Sequence, residues 1–458
     1  MIVQDDAAKE AKQQHVQGHN GTTVLEIQTV LLVCLSSYLL WRTMQLANIN
    51  PNPKNSLKTF LFEFSVLIIP VIMSITITEW TLTILAAQIA AVLGFIALAL
   101  VNPLKGSAAK KQTKTAVSGY VPSSVAFRAF LQMLTVTAIL AVDFSVFPRR
   151  FAKTEMYGTS LMDIGTGAFI FSSGLVSGPR INQKNVSFIA KVIKTSQIVI
   201  FPVLFGVLRI AFVKSVNYQE HVSEYGVHWN FFFTLACVSL LATLHGTLFS
   251  RVSYAFTAVI IIIGYEIALA RGLEQYIISA PRVDIISMNR EGICSMAGYY
   301  CIFLISAEIG ARILPKVQPF NMGMIRFKVL TATVGISFLL YLVCTLHLDL
   351  QVSRRLANAS YVFWVTAVCT SLLAGLFVVD HTLSRIFKNS AEQLKDSPVL
   401  FQSLNRYQLV AFIVANILTG LLNLSINTLQ VSNVYAMGIL FVYASIVSSS
   451  VVLLNTWK

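Results

Sequence analysis

Charge is what this sequence has least of. Asp, Glu, Lys and Arg make up 12% of its 458 residues, about half the share of a soluble chain. A water-soluble fold around a single core does not fit that composition. Paired cysteines are missing too: Cys34, Cys237, Cys294, Cys301, Cys344 and Cys369 lie in or beside apolar blocks without short spacings. This argues against a zinc knuckle or disulfide framework and leaves them as packing residues. There is no H-E-x-x-H run and no Ser or Cys in a nucleophile motif, so neither a zinc site of that type nor a covalent Ser or Cys nucleophile is indicated. The mixed acidic and basic N-terminus (Asp5, Asp6, Lys9, Glu10, Lys12) has no basic run leading into a short apolar core. No cleavable signal peptide is expected, and a first span from about Val24 should insert as it stands.

What is abundant is apolar sequence, 55% of the chain, and it arrives in blocks of about 20 residues, the length that crosses a bilayer as a helix. Thirteen blocks centre on 24–43, 59–78, 82–101, 125–142, 159–177, 197–213, 229–246, 252–270, 292–313, 328–346, 361–380, 407–424 and 434–455. Lipid offers backbone groups no partner, so the expected fold is all-α: one polytopic membrane helix bundle of about 13 transmembrane helices over residues 1–458. Residues 1–23 form a polar N-terminus, and 102–124 and 381–406 are expected as cytosolic loops. The block at 159–177 is rich in Gly and Ser and is expected inside the bundle, because small residues let helices approach closely.

An odd number of spans puts the termini on opposite sides. Of 34 Lys and Arg residues, twelve fall in segments on the N-terminal side and 22 on the other. The positive-inside bias makes the second side cytosolic, with a luminal N-terminus and a cytosolic C-terminus. The net charge of +14 then reads as topology plus attraction to the lipid bilayer. With no basic face on a soluble module, no nucleic acid is an expected partner.

Unusual polar stretches crowd the N-terminal side. Asp143 to Lys153 reads D-F-S-V-F-P-R-R-F-A-K. Asp143 ends a span, Pro148 stops the helix, and Arg149, Arg150 and Lys153 follow. A carboxylate where water thins out can act as a general base; an interfacial ion pair pinning the span end explains the same residues. Guanidinium forks suit phosphate, and Arg354-Arg355 repeats the Arg149-Arg150 pattern ahead of another span. Tyr218 to Asn230 holds His221, Glu224, Tyr225 and His228. The histidine spacing is no metal motif, and hydrogen bonding to sugar or inositol hydroxyls is the better reading. Asp163 lies in the Gly-rich block near Asp143, and Asn289 and Arg290 open another apolar block.

These residues carry a resemblance. The run A-V-D-F-S-V-F-P-R-R-F-A-K-T-E-M-Y-G-T-S-L-M-D-I-G-T-G (141–167) resembles the hallmark of the GPI-anchor inositol acyltransferases, which include the fungal GPI-anchored wall transfer proteins. Further likeness lies in Y-Q-E-H-V-S-E-Y-G-V-H-W-N-F-F-F-T-L (218–235), N-R-E-G-I-C-S (289–295), S-R-R-L-A-N (353–358) and N-I-L-T-G-L-L-N-L-S-I-N-T (416–428). Ser145 and Ala359-Ser360 depart from the family pattern in loop positions. The resemblance implies a multi-pass endoplasmic reticulum protein that transfers a fatty acyl group, usually palmitoyl, from acyl-CoA to the inositol of glucosaminyl-phosphatidylinositol. It implies no cofactor, acyl-CoA being a co-substrate, and makes Asp143 and Lys153 the essential pair. Residue chemistry adds Arg149, Arg150, Arg354 and Arg355 for phosphate, and Asp163, His221, Glu224, Tyr225, His228, Asn289 and Arg290 around the sugar head. The competing class is a multi-pass secondary transporter of a small anionic or polar solute, to which intramembrane acids and a Gly-interrupted helix also fit.

Overall fold

The structure, a computed structural model, describes residues 18–51, 56–101, 121–181, 188–215, 222–249, 251–314, 322–390 and 393–456. Its long helices, in chain order, are α1 (Val24–Leu46), α2 (Ser56–Leu67), α3 (Ile69–Thr76), α4 (Thr81–Val101), α5 (Pro122–Ala141), α6 (Ile164–Ile181) and α7 (Phe188–Ser215). They continue as α8 (Phe231–Leu248), α9 (Tyr254–Ala268), α10 (Arg290–Ile313), α11 (Met322–Leu342), α12 (Ala359–Ile386), α13 (Gln408–Ser425) and α14 (Asn433–Thr456). Helices α2 and α3 follow one another as a single apolar span, Leu57–Thr76. The span of α9 runs on to Ser279 past a break at Gly272, whose φ of +108° is open to glycine at little cost.

Twelve of these spans are long and apolar enough to cross a membrane, and the protein is an all-α, multi-pass bundle. The thirteenth apolar block is α6. It is too rich in Gly and Ser to rank with the other twelve, yet it runs the depth of the bundle beside α10. A Cβ on Gly174 would lie 2.0 Å from Ser306 Oγ, and one on Gly178 would lie 2.1 Å from the Ala307 carbonyl. From the other side, a Cβ on Gly310 would lie 1.9 Å from the Leu175 carbonyl. Backbone contact this close is how small residues hold helices together where lipid supplies no hydrophobic drive. Helices α5, α10 and α12 are the most buried, whereas α4, α7 and α11 stand outermost and turn apolar side chains outward.

At the end where α1 finishes, polar groups serve packing. Arg42, wholly buried, donates from Nε to Asp380 Oδ1 at 2.9 Å and from its other nitrogens to Tyr38 and the Asp396 carbonyl, tying α1 to α12. Segment 381–406, expected as a loop, contains the end of α12 and a short helix, Val399–Arg406. That helix buries Leu400, Phe401 and Leu404. Glu63 accepts the free N–H groups of its first turn, Val399 at 3.0 Å and Leu400 at 2.7 Å, which answers the unpaired donors of a helix start. The opposite end, where α1 begins, gathers the connections before α6, α10 and α12.

Candidate functional site

The chain leaves α5 at Val142 and turns through Asp143 to Asp163 before α6 begins. Phe144, Phe147 and Phe151 are fully buried and anchor this turn. Arg149 is enclosed by it. Its guanidinium donates to the carbonyls of Val142 (2.9 Å), Phe144 (2.8 Å) and Phe147 (2.9 Å), so it staples the backbone that carries Asp143. Burial pulls its proton affinity down to about 10, and the Asp143 charge works against that fall. Arg150 faces outward and grips Glu26 of α1 with Nε at 2.9 Å and Nη2 at 2.8 Å. Asp143 is half-buried, and its Oδ2 accepts from Asn423 Nδ2 at 2.7 Å, linking the turn to the end of α13.

Lys153 points elsewhere. Its Nζ donates to both carboxylate oxygens of Glu224, at 2.8 and 2.9 Å. Glu224 also lies 3.4 Å from Arg354 Nη1, and Arg354 Nε donates to the fully buried Asp163 at 2.8 Å. Two cations and two carboxylates alternate in one chain that runs inward from the part-exposed Lys153 to the buried Arg354 and Asp163. Asp163 is held further by Thr154 Oγ1 at 2.8 Å, while Tyr361 O–H reaches the Asp163 carbonyl at 2.8 Å. Tyr225, beside Glu224, bonds to Thr166 of α6 at 2.6 Å. Burial alone would push the Glu224 carboxyl up, but Lys153 and Arg354 outweigh it and hold the group down to about 2. Burial likewise works to lower Arg354, and Glu224 and Asp163 carry it above its ordinary value. Glu224 and Arg354 are therefore charged at neutral pH, while burial works to raise the Asp163 carboxyl against the pull of Arg354.

The run Asn289-Arg-Glu-Gly292 explains itself residue by residue. Asn289 Oδ1 accepts the backbone N–H groups of His228 (2.7 Å) and Trp229 (2.9 Å), holding the loop before α8. Arg290 donates to the Ile277 carbonyl at 2.7 Å, which secures the arm beyond the Gly272 break. Glu291 is fully buried and meets Arg282 Nη1 at 3.0 Å and Arg355 Nη2 at 3.0 Å. At Gly292 a Cβ would collide with the Trp229 ring at 2.3 Å.

The expected residues thus share one end of the bundle but form separate groups. Asp143 pairs with Asn423 and Lys153 with Glu224, so these two do not bond to each other. Arg149 and Arg150 diverge, as do Arg354 and Arg355; each guanidinium already has an acidic or carbonyl partner rather than a shared pocket. Tyr225 and Asp163 join the Lys153 group, and Asn289 and Arg290 brace the walls. His228 is half-buried in the braced loop, and His221 lies outside the described residues. Asn423, Glu26 and Arg282 were not singled out as site residues; the only signal for Asn423 was its place in the 416–428 run.

Fold and site define a multi-pass membrane protein with its candidate site residues gathered at one end of the helices. The chain belongs to the GWT1 family, whose model matches residues 8–454. It is 36% identical to GPI-anchored wall transfer protein 1 of Yarrowia lipolytica over 463 residues, 95% of each chain. The Schizosaccharomyces pombe protein of that name is 34% identical over 448 residues, again 95% of each. Glucosaminyl-phosphatidylinositol-acyltransferase PIGW of Bos taurus is 33% identical over 487 residues and 95% of each chain.

Proposed function

We propose that this protein is a membrane O-acyltransferase that esterifies the inositol of glucosaminyl-phosphatidylinositol with a fatty acyl group, palmitoyl or similar, taken from acyl-CoA. The observation that carries the reading is near-complete coverage by relatives that include a glucosaminyl-phosphatidylinositol acyltransferase. No relative named in the comparisons points to a transporter. The protein acts in the endoplasmic reticulum membrane, with its N-terminus luminal and its C-terminus cytosolic.

In this reading Asp143, half-buried and steadied by Asn423, takes the proton of an inositol hydroxyl as general base. The alkoxide attacks the thioester carbonyl. Lys153 spends two of its three N–H groups on Glu224 and turns the third to the developing oxyanion. Collapse expels the CoA thiolate, which recovers the proton from Asp143. Glu224, Arg354 and Asp163 act as positioning residues behind Lys153. The test is incubation of the purified protein with palmitoyl-CoA and glucosaminyl-phosphatidylinositol, scored by mass spectrometry. A lipid heavier by one acyl group is expected; recovery of only unmodified lipid from folded protein refutes the reading.

A further inference from the structure

We propose that Arg282, Arg290 and Arg355, grouped around Glu291, form a binding site for the phosphodiester of a membrane lipid headgroup. This deepens the reading above, and rests on it only for which lipid is the natural occupant.

Charge balance points to the place. Elsewhere at this end the ion pairs give each cation its own carboxylate: Arg150 has Glu26, Lys153 has Glu224 and Arg354 has Asp163. Here three guanidiniums face one carboxylate, with Arg282 and Arg355 bonded to Glu291 and Arg290 Nε 3.9 Å from it. Glu274 is taken up by the Tyr157 hydroxyl and Asp284 by its cap on Ser287, so Glu291 is the one carboxylate these guanidiniums touch among the described residues. Three guanidiniums crowded on one carboxylate are better satisfied when a further anion joins them. A second sign is the donor left over. Arg355 Nε is buried and has no hydrogen-bond partner among the described residues, although the side chain is only 10% exposed. An unpaired buried donor calls for a partner, and on a guanidinium at the edge of a cationic group an anion is the fitting one.

The surroundings select a lipid. Arg282 is the open edge of the trio, 25% exposed. The residues after it, Val283 (76%), Ile285 (76%) and Ile286 (64%), turn large apolar side chains outward. They are not loose: Asp284 and Ser287 close a reciprocal cap that fixes Ile285–Met288. A fixed apolar ledge beside an arginine, at the end of membrane-spanning helices, is built for acyl chains below and a phosphate above. The planar forks of the trio match a phosphodiester's two free oxygens.

The test uses the purified full-length protein in detergent. Short-chain phosphatidylinositol should raise its melting temperature and the matching diacylglycerol should not. Arg355→Gln and Arg282→Gln should each lose that response. In the acylation assay both variants should raise KM for glucosaminyl-phosphatidylinositol about ten-fold or more, the worth of a charge-assisted hydrogen bond, with KM for palmitoyl-CoA unchanged. A variant that does not fold is replaced by Arg355→Lys, which keeps the charge and loses the fork. Thermal protection retained in the variants, or lower melting with both KM values unchanged, overturns the proposal in favour of a structural brace. A rise confined to KM for palmitoyl-CoA overturns it in favour of a CoA phosphate. If wild-type protein transfers no acyl group, the proposed function fails while the thermal arm still decides this site.

Discussion

Replacing Glu224 by Gln removes one negative charge from a group in which two cations and two acids alternate. The side chain keeps its shape, so the perturbation is electrostatic. Lys153 then loses its carboxylate partner, while Arg354 keeps Asp163 at 2.8 Å. Removing one partner of a buried pair costs about 3–5 kcal/mol. Lys153 keeps 38% of its side chain exposed, so water recovers part of that, and a cost of about 2–3 kcal/mol is appropriate. If Glu224 aims the Lys153 ammonium at the oxyanion, that cost falls on the transition state, a drop in kcat of roughly 30- to 150-fold. With Glu224 acting behind Lys153, as proposed, KM for either substrate should change little. Glu224→Asp, shorter by one methylene but charged, should recover part of the rate, which a purely structural role would not require. The assay is steady-state acyl transfer with a melting curve for each variant. A Glu224→Gln protein that melts lower yet turns over at the wild-type rate would falsify the positioning role.

Three further outcomes follow from the same contacts. Asp143→Asn should cut acyl transfer about 10²- to 10⁴-fold, the usual worth of a general base, with an unchanged melting temperature; normal turnover would end that assignment. Asn423→Leu leaves the Asp143 carboxylate without its 2.7 Å donor, and activity should fall about ten-fold while Asn423→Gln recovers some of it. Stability should depend on pH through Glu224. Its carboxyl is held down to about 2 in the folded protein against about 4.3 when unfolded, so its contribution is complete above pH ~5 and is lost as pH falls toward 2. Chemical denaturation at pH 6 and pH 3 should show a loss at the lower pH that Glu224→Gln lacks.

The helices were legible because lipid demands long apolar runs, and each expected block coincides with a helix or a pair in sequence. The Gly-rich block declared its buried place through Gly174 and Gly178, which meet α10 backbone to backbone. Within segment 381–406 the short amphipathic helix Val399–Arg406 was not legible, because it has too few residues to stand out from a polar connection. The site's residue types were legible for the same reason as the spans: charge beside hydrocarbon is conspicuous. Their pairing was not. Asn423 lies 280 positions from Asp143, Glu224 lies 71 from Lys153, and Arg354 lies 191 from Asp163. No local spacing encodes such contacts.

The arginine pairs show why adjacency misled. Neighbouring side chains in an extended or turning segment point to different sides, so Arg354 and Arg355 could not both reach one ligand. Arg354 enters the Lys153 group, and Arg355 turns to Glu291. The short connection between Ser353 and Asn358 therefore joins two charged groups of different character. One pairs each cation with a carboxylate, suited to holding Lys153 in place for chemistry. The other crowds three guanidiniums on Glu291 beside an exposed apolar ledge, suited to receiving an anion from the bilayer. Because both hang on the same turn ahead of α12, a lipid phosphate seated on Arg355 would tighten the segment that also holds Arg354. Arg355→Gln should then lower kcat modestly as well as raise KM for the lipid, whereas Arg282→Gln, bonded only within its own group, should raise KM alone. Equal kcat in the two variants would separate the groups and leave binding and chemistry independent.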